Sequence, residues 1–377
     1  MKNPVEDFEN KFAEKFQAKY AVSFLYGRSG LYALLKCLEI RNAEVILPAY
    51  TCVVVAHAIL HSGNIPCFVD IDLENYNMNL DLLEKAINKN TRAIIATSLF
   101  GYPYSVDKLK EIIAGSGQPI VLIQDCAHSF GVEFNRRLIC NEGDAALFSL
   151  NISKQMSSIF GGMITTNSDE IYGKLKDFQD KYFRKAGLAK SVGHFLYFLS
   201  TYATFTPPVY AFVSFLERRT KFMDPFTKYY DSDKVTMPRD FFMKMPGVNA
   251  KVGLAQLKKY DEIKRKRIEI AKLYDQELRG IEKIERPLLM DGATYSHYVL
   301  RTDDRERLIR FIRRKGVQLG RIIEYAIPYM KAYEEYKNGD YPNALRCAAT
   351  TINFPNYPGL KKRQIDDIIR LIKSILR

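Results

Sequence analysis

None of the cysteines in this 377-residue chain belongs to a Cys-x-x-Cys pair, and none clusters with histidine. The six, Cys37, Cys52, Cys67, Cys126, Cys140 and Cys347, are dispersed along the sequence. That usage predicts free thiols in a reducing, cytoplasmic compartment and argues against a structural metal. Internal repeats and low-complexity tracts are absent as well, so a folded, non-repetitive body is expected. The first twenty residues have no uncharged core of the kind a signal peptide needs; lysines and glutamates are spread among Phe8, Phe12 and Phe16, whose i, i+4 spacing predicts an amphipathic helix. The formal net charge is +13, which suggests an anionic partner. No helix-turn-helix or RNP-type sequence accompanies the basic residues, which recur as ordinary helix faces at 264–267 and 305–314, so nucleic acid is not expected. A phosphate-bearing small molecule and an anionic membrane surface account for the excess equally well.

What is present is a globular composition, 47% hydrophobic and 26% charged, in a chain long enough for a large α/β domain and a smaller one. Short apolar runs alternate with helical patterns. Residues 21–24, 44–48, 66–72, 91–97 and 120–123 read as strands, with helices expected after Gly30, through His61, over 80–87 and over 106–113. This alternation predicts a doubly wound, mostly parallel sheet.

The run at 120–123 (IVLI) is wholly apolar, as in a strand buried on both faces, and it is led in by Gly117 and Pro119. Gln124 and Asp125 follow directly. A carboxylate at the carboxyl end of such a strand stands where open α/β sheets bind ligands, so Asp125 is a candidate site residue. A second apolar run, 145–148, leads into Ser149, Asn151, Ser153 and Lys154, beside Gly161-Gly162. Two neighbouring strands could thus deliver an acid and an amine to one ligand. Pyridoxal 5'-phosphate (PLP) needs this pair: a lysine to hold it covalently and a carboxylate to keep its ring nitrogen protonated.

Asp-Cys-Ala-His-Ser at 125–129 and Phe-Ser-Leu-Asn-Ile-Ser-Lys at 148–154 resemble the two signature blocks of PLP-dependent sugar-nucleotide aminotransferases of the DegT/StrS type, a branch of the fold-type I aminotransferases. The resemblance implies a fold-type I α/β architecture, a homodimer, Lys154 as the lysine that carries the cofactor, Asp125 as the partner of its ring nitrogen, His128 packed near the ring and Ser149 as a phosphate ligand. Sister sugar dehydratases have histidine in place of the lysine, so Lys154 favours transamination. The blocks depart from the family at Gln124, where Glu is usual, at Asn151, often His, and at Ile159-Phe160.

Upstream, Tyr26-Gly27-Arg28-Ser29-Gly30 opens a helical pattern. With Ser29 as N-cap, this turn would present free N–H groups and a positive dipole end to a phosphate, the role it has in the family. Arg28 replaces a glycine of the family and could add a charge contact or simply face solvent. The block at 48–52 resembles the family's Pro-x-x-Thr block, where the residue after Thr often stacks on the cofactor ring; here that residue is Cys52, with Tyr50 as a partial substitute. His57 and His61 lie one helical turn apart, but with no third ligand they are expected as helix-surface residues rather than a metal site. Phe-Gly-Tyr-Pro at 100–103 resembles another turn of the family at the ligand-binding edge. Gly247-Val248-Asn249 resembles a block whose asparagine reaches the cofactor of the neighbouring subunit, so Asn249 is the candidate there; N-capping of the next helix is its alternative. From Ile284 onward a smaller α+β domain is expected, with a strand over 296–301, helices over 305–315 and 365–376, and Arg321 as a candidate for a substrate carboxylate.

The expected organisation is a PLP-binding domain over 1–245, with an apolar insertion at about 186–221, and a linking helix and small domain over 246–377. Within the insertion, 192–216 contains no Asp, Glu, Lys or Arg and is crowded with aromatics. Its length would suffice to span a bilayer, for which about 20 residues are enough, but Pro207-Pro208 divides it. Arg184, Lys185 and Lys190 before it and Arg218, Arg219 and Lys221 after it suggest that both ends stay on one side, at a membrane interface. Packing in a dimer interface or over the active site is the alternative. The function expected is transfer of an amino group, from glutamate, to a keto sugar on a nucleotide or another phosphate carrier. A PLP enzyme acting on a lipid or lipid-linked sugar, and a non-catalytic PLP-binding regulator, are the two alternatives.

Overall fold

The computed structural model describes residues 3–204 and 232–376. The second half of the apolar stretch, with Pro207-Pro208 and the basic residues after it, lies outside the described residues, as does the first part of 222–245, a segment aromatic and mixed in charge that reads from sequence as a loop over the site.

Helix α1 (Pro4–Lys15) starts at Asn3, whose side chain accepts the Val5 N–H at 3.1 Å. Pro4 occupies the first turn, where a missing N–H breaks no helical bond. As the periodicity predicts, Phe8 and Phe12 are buried, and Phe16 packs behind them against Phe130, Phe148 and Tyr260.

The chain then builds a seven-stranded sheet from β1 (Tyr20–Phe24), β2 (Glu44–Pro48), β3 (Ile65–Val69), β4 (Thr91–Thr97), β5 (Val121–Asp125), β8 (Ala145–Ser149) and β9 (Gly162–Thr166), with β6 (Glu133–Phe134) and β7 (Arg137–Leu138) forming a small hairpin aside. The spatial order is β1-β9-β8-β5-β4-β2-β3. Strands β3, β2, β4, β5 and β8 pair in parallel, β9 runs antiparallel to β8, and β1 antiparallel to β9. The crossovers carry α2 (Gly27–Cys37), α3 (Val53–His61), α4 (Leu80–Ala86) and α5 (Val106–Gly115). This is the mostly parallel, doubly wound α/β arrangement expected, with strand carboxyl ends gathered at one edge.

After β9 come α6 (Asp169–Tyr182), capped by Ser168, and α7 (Leu188–Thr204). Helices Gly247–Leu257 and Tyr260–Glu277 follow the loop. The last part holds a two-stranded antiparallel sheet of β10 (Tyr298–Arg301) and β11 (Thr351–Phe354), covered by helices Arg305–Arg314 and Lys362–Leu376. Each helix buries one stripe, Leu308, Ile309 and Ile312 in the first and Ile365, Ile368, Ile369 and Ile372 in the second, the 3.6-residue period of an amphipathic face.

Candidate active site

Asp125 is the last residue of β5 and stands opposite Thr97 of β4. Because side chains alternate along a strand, Asp125 and Gln124 point to opposite faces. Gln124 accepts the Tyr104 hydroxyl on the α5 side, and Asp125 faces the cavity at the sheet edge. One carboxylate oxygen accepts the Ala127 N–H at 3.0 Å and the other faces the Thr97 hydroxyl at 3.5 Å. Burial raises the Asp125 pKa above the usual carboxylate range, opposed by the Ala127 N–H, by Lys154 and by Thr97.

Lys154 comes from the loop that leaves β8. That loop is closed on itself by Leu150 N–H to Gly161 O at 2.8 Å and Ser158 N–H to Leu150 O at 2.9 Å. Ile159 adopts a left-handed conformation, φ 73°, with its N–H on the Ser157 hydroxyl. A β-branched residue there is strained, and such strain persists only where the surroundings impose it. Lys154 lines the same cavity as Asp125, Cys52, Ser149, Asn151 and Arg28. Its pKa is lowered by burial, with Cys52 and Asp125 pulling it partly back. Among the described residues its ammonium makes no hydrogen bond or ion pair.

The third wall is the start of α2. Its N-cap is Tyr26, not Ser29, and no side chain caps it. Ser29 stands in the first turn, fully buried, and its hydroxyl donates to Phe241 O at 2.9 Å. The expected Ser29 cap is therefore corrected: the chain turns three residues earlier, and the Ser29 side chain is committed to the 241 loop. The first-turn N–H groups at Gly27 and Arg28 have no acceptor within the helix by its geometry, and both residues line the cavity. The Arg28 guanidinium lies over the Tyr26 ring, 6.0 Å from its centroid.

His128 is buried beside the cavity, stacked near Phe100 at 5.9 Å and 4.8 Å from the His297 ring. Its Nδ1 is buried without a hydrogen-bond partner among the described residues. Burial first, then the Lys154 charge and His297, hold its pKa well below the ordinary histidine value. His297, one residue before β10, is held down to about 3 by burial, Lys154 and Arg267. Reading the sequence placed this residue in a strand and gave it no role; the Ser-His-Tyr block at 296–298 was the available signal. Thr97 was likewise missed, although it ends an apolar run next to that of Asp125.

Several expectations are revised. Tyr50 does not substitute at the Cys52 position: it is fully buried, its ring packs against Phe100, and its hydroxyl donates to Ile323 O at 3.2 Å. His57 is not a helix-surface residue. It is fully buried in α3, with Nδ1 bonded to the Tyr333 hydroxyl. Asn249 lies inside the helix Gly247–Leu257, whose N-cap is Pro246, so capping is not its role. Its amide donates to Phe160 O at 2.7 Å, and its oxygen meets His194 Nδ1 at 3.0 Å. Arg321 is exposed and paired with Glu306 and Glu324, away from the cavity. A wider groove runs between 315–320 and the helix Lys362–Leu376, where Asp367 is paired with Arg370 and the Ser374 hydroxyl donates to Leu371 O. Among the described residues no His, Cys, Asp or Glu cluster could hold a metal ion.

An amine without a partner among the described residues, a buried carboxylate, a hydroxyl from Ser149, and a helix start carrying Arg28 thus surround one cavity. That donor set fits PLP: Lys154 suits its aldehyde, Asp125 its ring nitrogen, and the α2 start with Arg28 and Ser149 its phosphate.

Comparison with known proteins agrees. GDP-perosamine synthase of Escherichia coli O157:H7 is 26% identical over 367 residues, covering 96% of this chain and 87% of that protein. The solved structure of DesV from S. venezuelae superposes with a TM-score of 0.78 at 21% identity, over 99% of this chain and 89% of that one. E. coli GDP-4-keto-6-deoxy-D-mannose-3-dehydratase, solved with bound hydrated PLP, gives 0.77 at 19% identity, over 100% and 92%. The two structural likenesses show the shared fold. The DegT/DnrJ/EryC1/StrS aminotransferase family model matches residues 2–203 and 215–373. The chain belongs to that aminotransferase family.

Proposed function

We propose that this protein is a PLP-dependent sugar aminotransferase that moves an amino group from L-glutamate onto a keto sugar carried on a nucleotide or another phosphate carrier. The observation that carries this reading is the Lys154 amine, unpaired among the described residues, in one cavity with the buried Asp125 carboxylate. When bound, PLP supplies an electrophilic carbonyl and an electron-accepting ring. Lys154 Nζ would hold the cofactor and accept the proton leaving the donor's α-carbon. Its lowered pKa favours the neutral amine, the form that is both nucleophile and base. Asp125 would keep a proton on the ring nitrogen. Arg28, the α2 start and Ser149 would hold the phosphate, with Cys52 and His128 flanking the ring. Ser29 and Asn249, which the family resemblance assigns to the cofactor, support the walls within this subunit: Ser29 fixes the 241 loop and Asn249 fixes Phe160. The active unit is taken as a homodimer, each subunit divided near 245/246.

Purified protein given PLP and L-glutamate without any sugar should convert the bound cofactor to its pyridoxamine form and release 2-oxoglutarate. A protein that binds PLP but leaves glutamate untouched would instead be a regulator, and the proposal would fall. Keto sugars on nucleotide and on lipid phosphate carriers then identify the acceptor.

A further inference from the structure

Helix α7 is built inside out. Its face toward the protein carries Lys190, His194 and Tyr197, at i, i+4 and i+7, and each is engaged. Lys190 pairs with Asp240, His194 meets Asn249, and Tyr197 stacks on Phe160 with centroids 5.0 Å apart. Its opposite face carries Leu188, Val192, Phe195, Leu196 and Leu199, a single stripe at i, i+4, i+7, i+8 and i+11. All five are exposed, Leu188 by 81% and Leu196 by 58%. A surface helix in water does the reverse, turning its apolar stripe inward. A contiguous exposed patch of this kind needs a covering partner.

We propose that this outer face of α7 docks on an anionic lipid bilayer. Charge complementarity selects that occupant. Lys181, Arg184 and Lys185 are exposed just before the stripe, and the sequence from Lys185 to Leu216 contains no carboxylate. Anionic headgroups satisfy those cations while the stripe enters the acyl boundary. A second copy seated symmetrically on the same face would bring the two cation clusters together, and the acid beside them, Asp180, is already paired with Lys244. The helix lies on the membrane and does not cross it, because its inner face is held to the protein through Lys190 on Asp240, His194 on Asn249 and Tyr197 on Phe160. Among the described residues no helix is long and apolar enough to cross.

The inward contacts tie this face to the cavity. Asp240, which holds Lys190, also accepts the Tyr26 hydroxyl at 2.9 Å, and Tyr26 is a cavity wall. Phe160, under Tyr197, precedes Gly161, another wall residue. Docking through α7 therefore sets the cavity beside the headgroup layer, whichever amine acceptor it takes.

The test is flotation of the full chain with vesicles of phosphatidylcholine containing about one quarter phosphatidylglycerol, against pure phosphatidylcholine. The protein should float with the anionic vesicles. The double variant Phe195→Glu/Leu196→Glu, at exposed positions that leave the packed face intact, should lose about tenfold or more of that partition at unchanged melting temperature. Arg184→Glu/Lys185→Glu should bring binding on anionic vesicles down to the level on neutral ones. A full chain that stays at the bottom of the gradient, or a Glu/Glu variant at 195/196 that floats like its parent, overturns the proposal. So does a parent that ignores vesicles but is split from dimer to monomer by the 195/196 pair, which would give the face to a second copy.

Discussion

Gly162 lies so close to Gly27 that a Cβ on it would stand 2.4 Å from the Gly27 nitrogen. The start of β9 and the start of α2 are thus in backbone contact, and the helix end that faces the cavity is fixed by the absence of one methyl group. Gly162→Ala should push that end outward, costing about 1–3 kcal/mol from overpacking. PLP affinity should fall at least about tenfold, because the first-turn N–H groups lose their aim. Absorbance titration with PLP, alongside a thermal melt, measures both; an alanine variant that binds as tightly as its parent would refute the placement of the phosphate.

Lys154→Ala should abolish covalent attachment of PLP and lower turnover by at least about 10²–10⁴-fold, the usual range for a missing proton-transfer group. Borohydride reduction followed by peptide mapping checks the assignment. A cofactor adduct on any other lysine contradicts it.

Asp125→Asn preserves shape and can still accept the Ala127 N–H, but it carries no charge. The variant should keep PLP yet lose turnover by about 10²-fold or more, the scale of removing one electrostatic stabiliser at a reacting centre. Near-parental rates would mean that another group governs the ring nitrogen.

His297 gives a signed pH dependence. Its pKa is held down from 6.5 to about 3 in the folded chain. Between those values the unfolded chain takes up a proton that the folded chain refuses. Stability therefore rises with pH across that window and is lost as the medium is acidified below 6.5, by up to about 1.4 kcal/mol per pH unit from this group. His128, depressed for the same reason, adds in the same direction. Melting series from pH 7 down to about 4.5 should show a shallower slope for His297→Gln than for the parent; identical slopes would reject the buried neutral state.

The parts of the site legible in the sequence are those set by local period. A buried strand followed by a carboxylate gives Asp125 its position, because alternation fixes which of Gln124 and Asp125 faces the ligand edge. Lys154 follows from a second such strand and a glycine pair. Ser29 failed for a physical reason: a hydroxyl marks a cap only where the chain turns, and here the turn is at Tyr26, while the hydroxyl finds a partner more than two hundred residues away, at Phe241. His57 carried a signal that was passed over. Val53, Val55, Ala56, Ala58 and Ile59 surround it, and a helix apolar on all sides is buried on all sides. His297 and Tyr50 depend on which distant segments close over them, information that no window of neighbouring residues contains.

The sheet order has a consequence for biosynthesis. Strand β1 leaves the ribosome early, yet among the described residues its one sheet neighbour is β9, in register from Tyr20 with Thr166 to Phe24 with Gly162. Until that distant segment emerges, β1 has no ladder to join, α2 has no Gly162 to seat its first turn, and Lys154 hangs from an open loop. Pairing over such a separation must close a long loop before it gains any contact, which makes it a slow step. Ribosome-bound chains ending short of Gly162 should therefore be unable to capture PLP, and release of β9 should switch capture on in a single stage.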